Sequence, residues 1–259
     1  MWQWQTRSEL PYLTCDLLTD WQHGFFTRQF APRKPHELTP ILAAHASTYR
    51  LKQIHGKIVL TPTEIATTAE VEVETGNALG DGALTETAAQ AVWVASADCN
   101  PILIANRATG NVAAVHAGWR GTSLQIATVA VERLLAQGGN LTDIIVAIGP
   151  AIAGEVYQVT TQVGLEVCAS IAPHPLSGDL ETDAATLQAL PNSPLLTDAQ
   201  AGRVRLDVRR VNQLQLERLG IPVEQISIAP HCTFQEPEHF FSYRREKLKK
   251  IQWSGIVSK

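Results

Sequence analysis

Two rhythms of apolar residues run along this chain. Short runs rich in Val, Ile and Ala predict strands over Ala91–Ala95, Ile102–Ala105, Val112–Val115, Ile144–Ile148 and Ile226–Ala229. Alternating positions predict two more, at Ile54–Leu60 and Val204–Leu206. In the first of these, Ile54, Ile58 and Leu60 would share one face, and Gln53, His55 and Lys57 the other. A helical rhythm takes over between them. Thr122 is placed to cap "SLQIATVAVERLLAQGG", with a stripe of Leu124, Ala127, Val131, Leu134 and Leu135 closed by Gly138 and Gly139. Asp207 is placed to cap "VRRVNQLQLERLG", where Gly220 is the stop, and "TTQVGLEVCASIA" predicts a third helix. Pro173 to Gly202 carries four prolines and two glycines and predicts an irregular insertion. Strands mixed with helices and at least one hairpin predict an α/β fold with a mixed β-sheet, as one domain over residues 1–259.

The hairpin is the most informative segment. "PILIAN" and "NVAAVH" are joined by Arg107–Gly110, and opposing Asn106 with Asn111 places His116 across from Pro101. Cys99 and His116 then emerge at the same end of two strands. Such a pair suits either a thiolate nucleophile activated by imidazole or two ligands of a metal ion. The plain alternative is a satisfied pair in the core. His55, followed by Gly56, is one of several histidines available as a third ligand, beside His45 and His231. In "HAGWRGT", Gly118 and Gly121 bracket Arg120 just before the predicted helix, an arrangement that could hold an anion or could be a tight turn with a solvated arginine. Neither a G-x-x-x-x-G-K-[ST] loop nor a G-x-G-x-x-G loop is present, so ATP and NAD chemistry is not indicated.

Composition narrows the classes. The 259 residues are 45% hydrophobic and 18% charged, the make-up of a globular domain. A net charge of -4 gives no electrostatic footprint for nucleic acid. No apolar run reaches membrane-spanning length, and "MWQWQTRSELPYL" does not read as a signal peptide, so a cytoplasmic location and no membrane partner are expected. The four scattered cysteines read as reduced thiols.

Taken in order, "LKQIHG", "GDGALT", "SADCNPILI", "AAVHAGWRGT", "AIGPAI" and "FFSYRRE" resemble the YfiH-like, laccase-domain family, first called polyphenol oxidase and later purine nucleoside phosphorylase. The resemblance extends over nearly the whole chain, from "HGFFTR" at His23 to Arg244-Arg245. It implies a single α/β domain of mixed sheets, related to a cysteine-hydrolase-like toxin fold. It implies a metal, usually zinc, on His55, Cys99 and His116, with purine nucleosides and phosphate as substrates. The implied activities are phosphorolysis of adenosine, inosine, guanosine or methylthioadenosine, plus adenosine deamination. Cys99 and His116 would be catalytic, Asp98 would orient a ligand or handle a proton, and Arg28, Gln53, Arg120 and Arg244 would contact substrate. Asp98 and Asp81 could equally be turn residues, and "YRREKLKK" could be a solvated helix end.

Two departures stand out. "FFTRQFAP" keeps Arg28 but loses the glycines usual to that loop in the family, and Ala151 stands where a cysteine often follows "GP". The oxidase name also meets a physical obstacle. A multicopper oxidase needs roughly ten histidines, many in His-x-His pairs. This chain has 8 and no such pair, so laccase chemistry is rejected, although Cu2+ competes with zinc for a single site of this kind. Two further readings remain: a metal-free Cys-His thiol hydrolase acting on an amide, and a non-catalytic metal-binding module.

Overall fold

The computed structural model describes residues 1–259. Two six-stranded mixed sheets stack face to face. The first has the order Trp2–Arg7, Leu10–Cys15, His23–Phe26, Gln252–Val257, Gln90–Ser96 and Ser47–Arg50. The second has the order Ile226–Ile228, Ile144–Ile148, Asn100–Asn106, Val112–Ala117, Gly82–Leu84 and Val59–Leu60. Alternation sorts the side chains between layers. Leu103, Ala105, Val112 and Ala114 face the first sheet and pack with Leu13, Phe25, Val94 and Ile256. Ile102, Ile104, Ala113 and Val115 face the other way, onto Ile126, Val131 and Leu134 of one helix and Leu216 of another. Burial on both faces explains why these strands read as continuous apolar runs. Behind the first sheet, Leu38 and Leu42 of the helix Pro35–Leu42 cover Phe26, Trp93 and Val257. The result is a single α/β domain with a helix–sheet–sheet–helix layering.

Most predicted strands and the helix capped by Asp207 are present, with the Asp207 carboxylate accepting from the backbone of Arg209 and Arg210. The hairpin register is as predicted, with Pro101 opposite His116 and Ala105 opposite Val112. Three expectations need correction. Ile54–Leu60 is not a strand: only Val59–Leu60 pairs, and His55 sits in a bend with φ +60°. The helix capped by Thr122 is two helices, Trp119–Ser123 and Ile126–Leu135, broken at Gln125 with φ +58°. Thr122 does not cap; its hydroxyl accepts from Asn212. Leu124, at the break, is exposed. Finally, 173–202 is not irregular. It contributes the helix Leu180–Gln188 and the strand Leu195–Thr197, which completes a three-stranded sheet with Gln158–Thr160 and Arg203–Leu206 over its own apolar core.

The two large sheets meet closely at Gly149, where an added Cβ would lie 2.2 Å from the Phe25 ring. Gly149→Ala should therefore lower unfolding stability by about 1–3 kcal/mol, read as a lower denaturant midpoint with an unchanged slope.

Candidate metal centre

Three separate segments reach one end of the sheet stack. The strand Gln90–Ser96 of the first sheet continues through residues 97–99 into Asn100–Asn106 of the second, and this crossing presents Cys99. Its hairpin partner ends at His116, as the register requires. The bend after Arg50 supplies His55. One ligand atom from each of His55, Cys99 and His116 lies within 4.8 Å of the other two. Gly118 makes room for them: a Cβ there would lie 3.0 Å from the Cys99 sulfur and 3.2 Å from His55 Nδ1.

Asp81 organises the cluster. It is fully buried, and its carboxylate accepts the successive backbone N–H groups of Ile54, His55 and Gly56 at 3.2, 2.8 and 2.7 Å. This nest of donors holds His55 in its positive-φ bend. The same carboxylate meets His116 Nδ1 at 2.9 Å, which leaves Nε2 as the ring nitrogen free to bind. Burial would raise the Asp81 carboxyl, but its bonds to His116 and to backbone N–H groups outweigh that and hold it below its ordinary value. Burial likewise pushes the Cys99 thiol up, yet the charge and hydrogen bonds of His116 and His55 bring it down to about 6. His116 is the complementary case: burial opposes its charge, and Cys99 with Asp81 raise it to about 9. The thiol is thus poised as a thiolate, the form in which sulfur binds metals or attacks carbon. Two imidazoles and a thiolate, with one imidazole anchored by a carboxylate, make a donor set that fits zinc.

The cluster forms the floor of a cleft of about 550 Å3, whose walls include Trp253, Tyr243 and Leu51. Arg50, Lys52, Lys249 and Lys250 line it, and no carboxylate does. Of these cations only Lys52 is paired, with Glu72. The cleft therefore favours an anion beside the cluster.

The other residues singled out in the sequence are placed differently. Gln53 lines the cleft, but its amide is pinned to the backbone of Ala95 by bonds of 2.8 and 2.7 Å. Asp98, at φ +91°, has both carboxylate oxygens engaged, one by the Thr233 hydroxyl and one by the backbone N–H of Arg244, each at 2.7 Å. It fastens the sheet-to-sheet crossing to the Arg244 segment. Arg28 binds Glu246 at 3.0 Å and stacks on Phe241. Arg120 lies exposed over Trp119. Arg244 binds the carbonyl of Gln158 at 2.9 Å over the Tyr157 ring. None of these three arginines lines the cleft. The helix holding Arg120 starts at Trp119 and not at Thr122, so Arg120 lies in its first turn and not ahead of it. Sequence reasoning missed the cations actually present. Two signs were available: Arg50 and Lys52 lie just before His55 in "RLKQIHG", and Lys249 and Lys250 belong to the run "REKLKK".

Comparison with known proteins identifies the family and the fold. A family model described as multi-copper polyphenol oxidoreductase laccase matches residues 36–256. Purine nucleoside phosphorylase slr1573 from Synechocystis sp. is 48% identical over 258 residues, spanning 100% of this chain and 97% of that protein. Purine nucleoside phosphorylase YfiH from Shigella flexneri is 32% identical over 76% of this chain and 68% of its own. An adenosine deaminase, RL5, from an unknown prokaryotic organism is 31% identical over 65% of this chain and 58% of its own. Among solved structures, YlmD from Geobacillus stearothermophilus superposes with a TM-score of 0.77 at 24% identity, over 99% of this chain and 98% of that one, and supports the fold. Only one His/Cys/Asp/Glu cluster in this chain has the makings of a metal site, so the family's descriptive name does not carry four-copper chemistry with it. The chain belongs to the laccase-domain family that includes the YfiH and YlmD proteins.

Proposed function

We propose that this chain is a zinc-dependent purine nucleoside phosphorylase that also deaminates adenosine. The observation that carries the reading is the convergence of His55, Cys99 and His116 at the floor of a cation-lined cleft. Relatives bearing both activity names support it. A divalent ion held by those three residues would supply Lewis acidity next to the substrate. The protein's own groups do the rest. Asp81 fixes the His116 tautomer and the His55 bend. Arg50, Lys249 and Lys250 hold phosphate and offset its charge as it approaches the ribose carbon that bears the base. Trp253 and Tyr243 offer aromatic surface for the purine.

A second reading, the Cys-His thiol hydrolase, draws on the lowered Cys99 thiol. Metal analysis followed by adenosine turnover with and without phosphate separates the two. The expected result is one zinc per chain, phosphate-dependent release of adenine that stops on chelation and resumes with zinc, and loss of both metal and turnover in His55→Ala. Full activity in metal-free protein, or in His55→Ala, would overturn the zinc reading in favour of the thiol hydrolase; stoichiometric zinc without nucleoside turnover would favour a binding module.

Asp81→Asn should weaken zinc affinity by roughly 10–100-fold, measured by competition with a chelator, because the carboxylate behind His116 is lost. Arg50→Ala and Lys249→Ala should each raise the KM for phosphate by about tenfold, with a smaller effect on the KM for adenosine.

A further inference from the structure

A second cavity of about 480 Å3 lies beyond the wall of the metal cleft. The two share Lys250, Ile251 and Trp253, but the rest of the second cavity is built from the loop after the strand His23–Phe26, the start of the helix Pro35–Leu42, and Phe241. Its size falls within the range of small-molecule sites, about 300–1,000 Å3. Its chemistry is distinctive. Phe30, Phe241 and Trp253 line it with aromatic surface. The Gln252 side chain, the amide in the wall, is already bonded to the Phe241 backbone through both its oxygen and its nitrogen. The lining side chains with charge left to offer are Arg33, Lys34 and Lys250, and no carboxylate lines the cavity. None of the three is in an ion pair; Glu37, nearby in sequence, takes the backbone N–H of Lys34. Arg33 lies 5.6 Å from the Phe30 ring centre, and Lys250 lies 5.7 Å from that of Phe241.

We infer that this cavity is a second ligand site, separate from the metal cleft, for a small anion with a planar aromatic body. The aromatic walls take the flat body by stacking and by apolar burial. Arg33 and Lys34, which line this cavity and not the metal cleft, take the anionic group, where a carboxylate or a phosphate would serve equally. A neutral aromatic compound would use the walls and forgo the cations. A simple inorganic anion would use the cations and forgo the walls.

Calorimetric titration of the full chain with naphthoate and with uncharged naphthamide tests this. One naphthoate should bind per chain, about tenfold or more tighter than naphthamide. The double substitution Arg33→Glu and Lys34→Glu should remove that preference, while His55→Ala and chelation should leave it unchanged. Both substituted side chains lie outside the cores, and thermal unfolding checks that the variant is folded. If it is not, a structure of the wild-type chain soaked in naphthoate replaces it, with the ligand expected between Phe30 and Phe241. Absence of saturable binding, equal affinity for naphthamide, or binding lost in His55→Ala yet indifferent to Arg33 and Lys34 would overturn the inference. The last of these would place the anion in the metal cleft and leave the phosphorylase reading standing.

Discussion

One buried carboxylate holds this site together. Asp81 is sealed from solvent, so its charge must be met by protein donors, and four are supplied: three consecutive backbone N–H groups and an imidazole. Each such bond to a charged group is worth about 1.5–3 kcal/mol, and each left unmade would cost more. The arrangement joins two ligand segments that are otherwise distant in sequence. It sets the bend that turns His55 toward Cys99, and it selects which nitrogen of His116 faces the same point. The thiolate character of Cys99 follows from where those two histidines stand.

The sheets supply the frame for that carboxylate. Because the chain passes directly from the strand Gln90–Ser96 to Asn100–Asn106, the end of one sheet and the start of the other are only a few residues apart. That short crossing fixes Cys99 at the seam. The cleft opens at the same seam, with Trp253 from the first sheet on one side and His116 from the second on another. Asp98 secures the crossing from behind, through Thr233 and the Arg244 backbone.

How much of this could be read from the sequence depended on whether the signal was local. The hairpin of Asn100–Asn106 and Val112–Ala117 was legible because a short loop and two-residue alternation leave few registers, so the meeting of Cys99 with His116 followed. The Asp207 cap and Gly220 stop were legible for the same reason. His55 misled, because "QIHGKIVL" alternates like a strand while its backbone is pulled into a bend by Asp81, a partner 26 residues away. Gln125 in a left-handed conformation breaks a helix that the apolar stripe alone would continue. The segment 173–202 looked irregular because its prolines and glycines frame a short strand whose partner, Arg203–Leu206, lies just beyond it. Which cations line the cleft was not legible because cleft membership depends on tertiary folding: Arg120 stacks on Trp119 outside it, whereas Lys249 and Lys250, from a basic run that read as a solvated helix end, reach it. The edge strand Trp2–Arg7 and its neighbour Leu10–Cys15 escaped notice since the first carries Gln, Thr and Arg among its six residues and the second is interrupted by Pro11.

The position of Gln252–Val257 has a consequence for biogenesis. This strand emerges after every other strand of the domain, yet it lies inside its sheet, bonded to His23–Phe26 on one side and Gln90–Ser96 on the other. During synthesis the first sheet must wait as two unjoined halves with open edges, while the second sheet already has all six of its strands. His55, Cys99 and His116 will have left the ribosome long before the wall bearing Trp253 exists, so the three side chains can be brought together before the chamber they face is complete.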